Sequence, residues 1–272
     1  MSTHNQNLWE KIIISKINDL SVVKQQYATA SNLNTRISIH DKYSTNKMGF
    51  GNWIISNYKI DKGMKVLELG CGTGDMWKNR GSLISRCSKL ILSDFSEGMI
   101  ATAKENIGNY DNIEYKVLDI QNIPYEDETF DIVIANMMLY HVPDIYKGLA
   151  EVRRVLKRDG SFYCATYGEH GIIEYLSKIL DAYGVEDNLN KNFTLQNGYD
   201  ILRKLFLKVE KLEYGDSLAV TNIDDMVDYI YSLSSMTALS NVPKHIIKQI
   251  LMQNRTNGIL NVPKEYGMFI AS

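Results

Sequence analysis

Residues 66–75 read VLELGCGTGD, an apolar run that breaks into three glycines at alternate positions, with Glu68 before them and Asp75 after them. A strand that ends in glycines and opens a helix forms the nucleotide crevice of α/β sheets, because a bare backbone lets a ligand come close. Gly70 and Gly72 fit the dinucleotide fingerprint G-x-G-x-x-G/A, but its third position is Asp75, which repels a pyrophosphate. A P-loop is excluded because no Gly-Lys-Ser/Thr follows. By charge, the turn around Cys71 suits a ligand with positive groups. Asp94 ends the next apolar run, twenty positions after Gly74, the distance at which such folds set a carboxylate on ribose hydroxyls. Asp119, in KVLDIQNIPY, ends a third run. There a carboxylate and the adjoining amides can read an adenine edge, although an ordinary loop uses an aspartate in the same way.

These acids need a scaffold that brings strand ends together. Short apolar runs at 65–70, 89–95, 113–119, 130–137 and 161–167 alternate with helical stretches, which predicts a parallel sheet covered by helices on both faces. Ser96 is read as the cap of EGMIATAKENI, and Pro143 as the start of PDIYKGLAEVRRVLK, with Gly160 just past its end. A further strand is expected near 208–214, and GMFIAS reads as a last one. Between them, residues 221–260 have helical period and read as an insertion. Its Met226, Tyr229, Tyr231, Met236 and Met252 are candidates to line a substrate pocket. Residues 1–57 read as a helical N-terminal extension and 58–272 as the main domain.

The 272 residues are enough for one large domain, and 44% hydrophobic with 23% charged residues is globular composition. A net charge of -2 gives no general attraction to nucleic acid or anionic lipid. Cys71, Cys87 and Cys164 show no C-x-x-C or metal-ligand spacing and read as packed, reduced thiols, so no metal is expected. The start MSTHNQNLWEKIIIS lacks the features of a signal peptide, and no run approaches ~18 apolar residues. The expectation is a cytoplasmic protein with no membrane partner.

Taken in order, VLELGCGTGD, LSDFSEGMI, VLDIQNIPYEDETFDIVIANMMLYHVPD and VLKRDGSFYCATYG resemble the motifs of the Methyltransferase-11-like group of class I S-adenosylmethionine-dependent methyltransferases. The resemblance spans about residues 64–168 and implies a Rossmann-like, doubly wound seven-stranded sheet, mostly parallel, with an antiparallel last strand. It implies S-adenosylmethionine as cofactor, with Gly70 and its turn along the methionine portion and Asp94 on the ribose. Phe95 and Met99 would lie beside the adenosine, Asp119 and Ile120 would frame the adenine, and Asn136 would face the methionine end or the substrate. Tyr27 and Arg36 of the extension would close the site, Arg36 by pairing with a carboxylate.

Methyl transfer from a sulfonium needs mainly alignment and exclusion of water; a base helps only a hydroxyl acceptor. His141, with Tyr140 beside it, is the best-placed base, and His40 is a weaker candidate. Asn136-Met137-Met138-Leu139 lacks the prolines of the run that enzymes methylating DNA base amines carry. The expected acceptor is therefore a small molecule, methylated on oxygen or nitrogen. Acceptors in RNA or protein, and a non-catalytic cofactor-binding module, are the alternatives.

Overall fold

The computed structural model describes residues 30–185, 188–233, 239 and 242–272. The described strands are β1 (Lys65–Leu69), β2 (Lys89–Asp94), β3 (Ile113–Val117), β4 (Phe130–Ile134) and β5 (Leu156–Tyr167), followed by β6 (Val209–Tyr214), β7 (Ser217–Val220), β8 (Leu260–Pro263) and β9 (Tyr266–Ala271). Seven of them form one sheet in the order β3-β2-β1-β4-β5-β9-β6. The β1–β5 pairings are parallel, and β9 runs antiparallel to both β5 and β6. This is the Rossmann-like sheet that the motifs imply.

The alternation of β1 explains the two layers. Leu67 and Leu69 face a core with Leu149, Val152 and Val155, whereas Val66 faces the opposite core with Ile54, Trp77, Ile84 and Ala103. Both faces are thus apolar, as parallel strands between helices require. In chain order the helices are α1 (Ala30–Tyr43), α2 (Phe50–Ser56), α3 (Gly81–Ile84), α4 (Glu97–Ile107) and α5 (Ile145–Val155), then α6 (Ile172–Ile179), α7 (Gly198–Leu202), α8 (Ile223–Ser232) and α9 (Lys244–Gln253). Ser96 caps α4 by accepting the Met99 amide at 3.4 Å, as its position before EGMIATAKENI predicts.

The next helix differs from the sequence reading at both ends. Asp144, not Pro143, sets the start of α5 by accepting the Lys147 amide at 3.0 Å. The helix stops at Val155, and residues 156–160 already belong to β5, beside a register shift between Phe130 and Ile132. Gly160 is therefore a strand residue. A Cβ there would lie 2.9 Å from the Asp131 carbonyl, so the glycine serves close approach of two strands and not a helix end.

Outside the sheet, β7 and β8 pair antiparallel and bracket α8 and α9, two strands that helical periodicity does not reveal. This insertion has a core of its own, with Leu218, Met226, Ile230, Ile247 and Leu251 packed around Ile39 of α1 and Leu176 of α6. Further ties join α1 to it. Tyr43 Oη donates to Asp225 at 2.5 Å, Lys42 pairs with the same carboxylate at 3.0 Å, and the Thr45 amide donates to the Ser217 carbonyl at 2.9 Å. Helix α1 and the insertion thus form one cap over the carboxyl edge of the sheet. No helix among the described residues is long and apolar enough to cross a membrane.

Candidate functional site

Under the cap, at the strand ends, lies a cavity of about 840 Å³. This is within the ~300–1,000 Å³ of small-ligand sites. Its floor is the glycine turn. Gly72 has φ 55°, and its amide donates to Asp94 Oδ2 at 3.0 Å, while the Ser96 amide donates to Asp94 Oδ1 at 2.9 Å. Both carboxylate oxygens thus accept backbone amides, and each oxygen has more than one lone pair. Burial pushes the Asp94 carboxyl upward, and backbone hydrogen bonds from Ser96, Gly72 and Phe95 pull against it. A Cβ on Gly72 would meet nothing within 4 Å, so the backbone faces open space.

Gly74 has a different task. It has φ 78°, and a Cβ there would lie 2.6 Å from Ile107 Cδ1 and 3.1 Å from Ala103 Cβ, both on α4. Gly74→Ala is expected to lower stability by about 2 kcal/mol, from the left-handed backbone and the overpacked helix contact. A urea titration read by tryptophan fluorescence measures it.

Glu68 is 2% exposed and turns into the cavity wall, where its Oε2 accepts Trp77 Nε1–H at 2.5 Å. Burial drives its pKa to about 7; the Trp77 bond opposes the shift and the charge of Asp94 adds to it. Asn136 Nδ2 donates to Tyr58 Oη at 2.6 Å, and its Oδ1 accepts the Ala165 amide at 3.2 Å, so this side chain ties the end of β4 to β5. Asp119 Oδ1 accepts the Gln121 amide at 2.9 Å, the loop-capping role weighed above, and the residue also lines the cavity. Phe95, Met99, Ile120, Gly70 and Cys71 complete this part of the wall.

Tyr140 and His141 lie in a 3₁₀ turn after β4, their rings 4.5 Å apart, and both line the cavity. Burial, with the positive charge of Arg36, takes the His141 pKa down to about 4. Arg36 and His40 reach the cavity from α1. Tyr27 and Met236 lie outside the described residues.

The roof differs from the expected one. Met226 and Tyr229 are buried in the insertion's own core, and Tyr231 packs against it. None of these three, nor half-exposed Met252, is among the lining residues. The roof consists of α1, Met48 in the connector, Phe50 at the start of α2, and Lys264 and Tyr266 where β8 passes into β9. The sequence reading also missed Met138, whose side chain packs over Gly70, and Trp77, the donor to Glu68. Met138 carries no motif signal; Trp77 could have been found as the only indole two residues beyond the acidic turn.

Residues 67–164 match the methyltransferase domain family. The Escherichia coli ubiquinone/menaquinone biosynthesis C-methyltransferase UbiE is 31% identical over 186 residues, 66% of this chain and 74% of that enzyme. Two solved structures share the fold at 18% identity. One is the complex of the Haloferax volcanii Trm112 methyltransferase activator with its methyltransferase, with TM-score 0.55 over 91% of this chain and 97% of that one. The other is the Haemonchus contortus phosphoethanolamine N-methyltransferase 2 with phosphomonomethylethanolamine and S-adenosylhomocysteine, with TM-score 0.52 over 82% and 52%.

Proposed function

Because the chain belongs to the class I S-adenosylmethionine-dependent methyltransferases, we propose that it places a methyl group on an oxygen or nitrogen of a small, partly apolar metabolite. Continuity carries this reading: one half-open cavity of about 840 Å³ joins the glycine turn to an apolar rim that includes Ile37, Met48 and Phe50. Such a space suits a cofactor and a small acceptor, and the net charge of -2 gives no pull toward a nucleic acid.

The residues present fit S-adenosylmethionine. Glu68, Asp75, Asp94 and Asp119 all lie on the floor, where they favour a cationic nucleoside and oppose a phosphate. When bound, the cofactor supplies a methyl group already activated on a sulfonium. Asp94 holds the ribose hydroxyls, Phe95, Met99, Asp119 and Ile120 enclose the adenine, and Gly70, Cys71 and Gly72 run along the amino-acid portion beside Glu68. Arg36 pairs with the carboxylate from above. The cap overhangs the site, and Asn136, fixed by Tyr58 and the Ala165 amide, holds the wall between cofactor and acceptor. For a hydroxyl acceptor, His141 is neutral at pH 7 and can accept a hydrogen bond from the hydroxyl, but a pKa of about 4 makes it a weak base for the proton.

The test is incubation of pure protein with methyl-labelled S-adenosylmethionine and a metabolite extract. Label is expected in small molecules; label only in RNA or protein would overturn the proposal. The likeness to an enzyme named as a C-methyltransferase favours a carbon acceptor as second reading. The position of the label in the product separates the two.

A further inference from the structure

Two neighbouring strands end in left-handed bends that fit each other. β1 and β4 pair in parallel as far as Glu68 and Ile134. Just beyond, Gly70 has φ 71° and Met137 has φ 52°. Glycine adopts this backbone freely, whereas in methionine the Cβ crowds the following carbonyl. Among the described residues, the other non-glycine residues with positive φ are Asn79, Glu128 and Asn257, all exposed and away from the cavity. Met137 is half-buried and lines it. A disfavoured backbone persists only where its surroundings impose it, and such residues gather at functional sites.

The imposing contacts lie on both sides of the bend. Ala165 of β5 grips the incoming chain twice: its carbonyl accepts the Met137 amide at 2.8 Å, and its amide donates to Asn136 Oδ1 at 3.2 Å. On the outgoing side, the Met138 carbonyl accepts the His141 amide at 2.9 Å and opens the 3₁₀ turn. The bend turns the Met138 side chain back onto β1, where a Cβ added to Gly70 would lie 2.8 Å from Met138 Cγ and 2.9 Å from its Cβ. Rotation about the N–Cα bond of Met137 alone would carry Met138 off Gly70 while Ala165 kept its grip. Further along, the chain has anchors of its own. The Tyr140 carbonyl accepts Asn190 Nδ2 at 2.6 Å, and the Asp144 amide donates to Gln121 Oε1 at 3.2 Å.

We infer that Met137 is a positioning residue: its left-handed backbone, rather than its side chain, holds Met138 against Gly70 and so shapes the seat of the cofactor's amino-acid portion. The inference rests on the methyltransferase reading above, in which the Gly70 turn carries that portion while Asp94 and Asp119 serve the nucleoside. The nucleoside seat is built at the ends of β2 and β3, so residue 137 governs one end of the cofactor and leaves the other alone.

The experiment titrates the full chain calorimetrically with S-adenosylhomocysteine and with 5′-methylthioadenosine, which keeps the adenosine and the sulfur but lacks the amino-acid portion. The readout is the ratio of the two affinities, because a general loss of structure lowers both together. Met137→Val sets a β-branched residue at positive φ and should lower S-adenosylhomocysteine affinity about tenfold or more, with methylthioadenosine within about threefold of wild type. Met137→Gly adopts the bend without crowding and should keep the ratio within about threefold of wild type, as should Met137→Ala, which loses only atoms beyond Cβ. Met138→Ala leaves the backbone alone and should lower S-adenosylhomocysteine affinity about threefold to tenfold while sparing methylthioadenosine. This last variant decides the matter if valine prevents folding. Equal losses of both ligands in Met137→Val, a loss in Met137→Gly as large as in Met137→Val, or an unchanged ratio in Met138→Ala overturns the inference. A wild-type chain that binds neither ligand would instead overturn the reading beneath it, and this inference with it.

Discussion

Asp94→Ala is expected to weaken S-adenosylhomocysteine binding by roughly 10²–10⁴-fold. A hydrogen bond to a charged group contributes about 1.5–3 kcal/mol, and two ribose hydroxyls on one carboxylate give about 3–6 kcal/mol, the range behind that ratio. The same substitution frees the amides of Gly72 and Ser96, which Asp94 fixes at 3.0 and 2.9 Å, so the floor of the site loosens as well. Asp94→Asn keeps one acceptor oxygen and presents an amide nitrogen to the other donor, so it should fall between wild type and alanine. Calorimetric titration gives the affinities, and a thermal melt of each free variant separates the loss of ligand contacts from the loss of structure. An Asp94→Ala protein that binds within threefold of wild type would remove Asp94 from the site.

The floor was legible because its signals are local. A short apolar run, a glycine turn, a capping serine and an aspartate at the next strand end all lie within 31 consecutive residues, 66–96, and each constrains the backbone beside it. Tertiary partners were not legible. Asp216 and Lys264 are 48 positions apart and meet only because β7 and β8 close a hairpin around two helices. The helical period of 221–260 correctly reports an apolar face, but periodicity cannot say what that face covers. Met226 and Tyr229 cover the insertion's own core, and the cavity roof falls to α1. Gly160 shows the same limit at short range. A glycine after a helical stretch is a common stop signal, yet here the reason for it is the Asp131 carbonyl on a neighbouring strand.

Glu68 makes stability and cofactor affinity depend on pH in opposite directions. In the free protein its pKa is raised by burial from 4.5 to about 7, so the folded state holds this proton more tightly than the unfolded chain. Between those two values the native state carries more protons, and stability falls as pH rises, by about 3 kcal/mol over the window; above pH 7 the contribution is flat. Glu68→Gln removes the dependence and should make the free protein more stable at pH 8, which denaturant midpoints at pH 5 and pH 8 will measure. A cationic ligand beside the carboxylate reverses the balance, because it favours the ionised form. Cofactor binding should therefore release about one proton near pH 6 and tighten as pH rises to about 7, by up to about tenfold per unit, with a plateau above. Calorimetry in two buffers of different ionisation enthalpy counts that proton directly. A Glu68→Gln protein that still releases it would place the coupling on another group, and Asp94, whose pKa burial also raises, is the next to substitute.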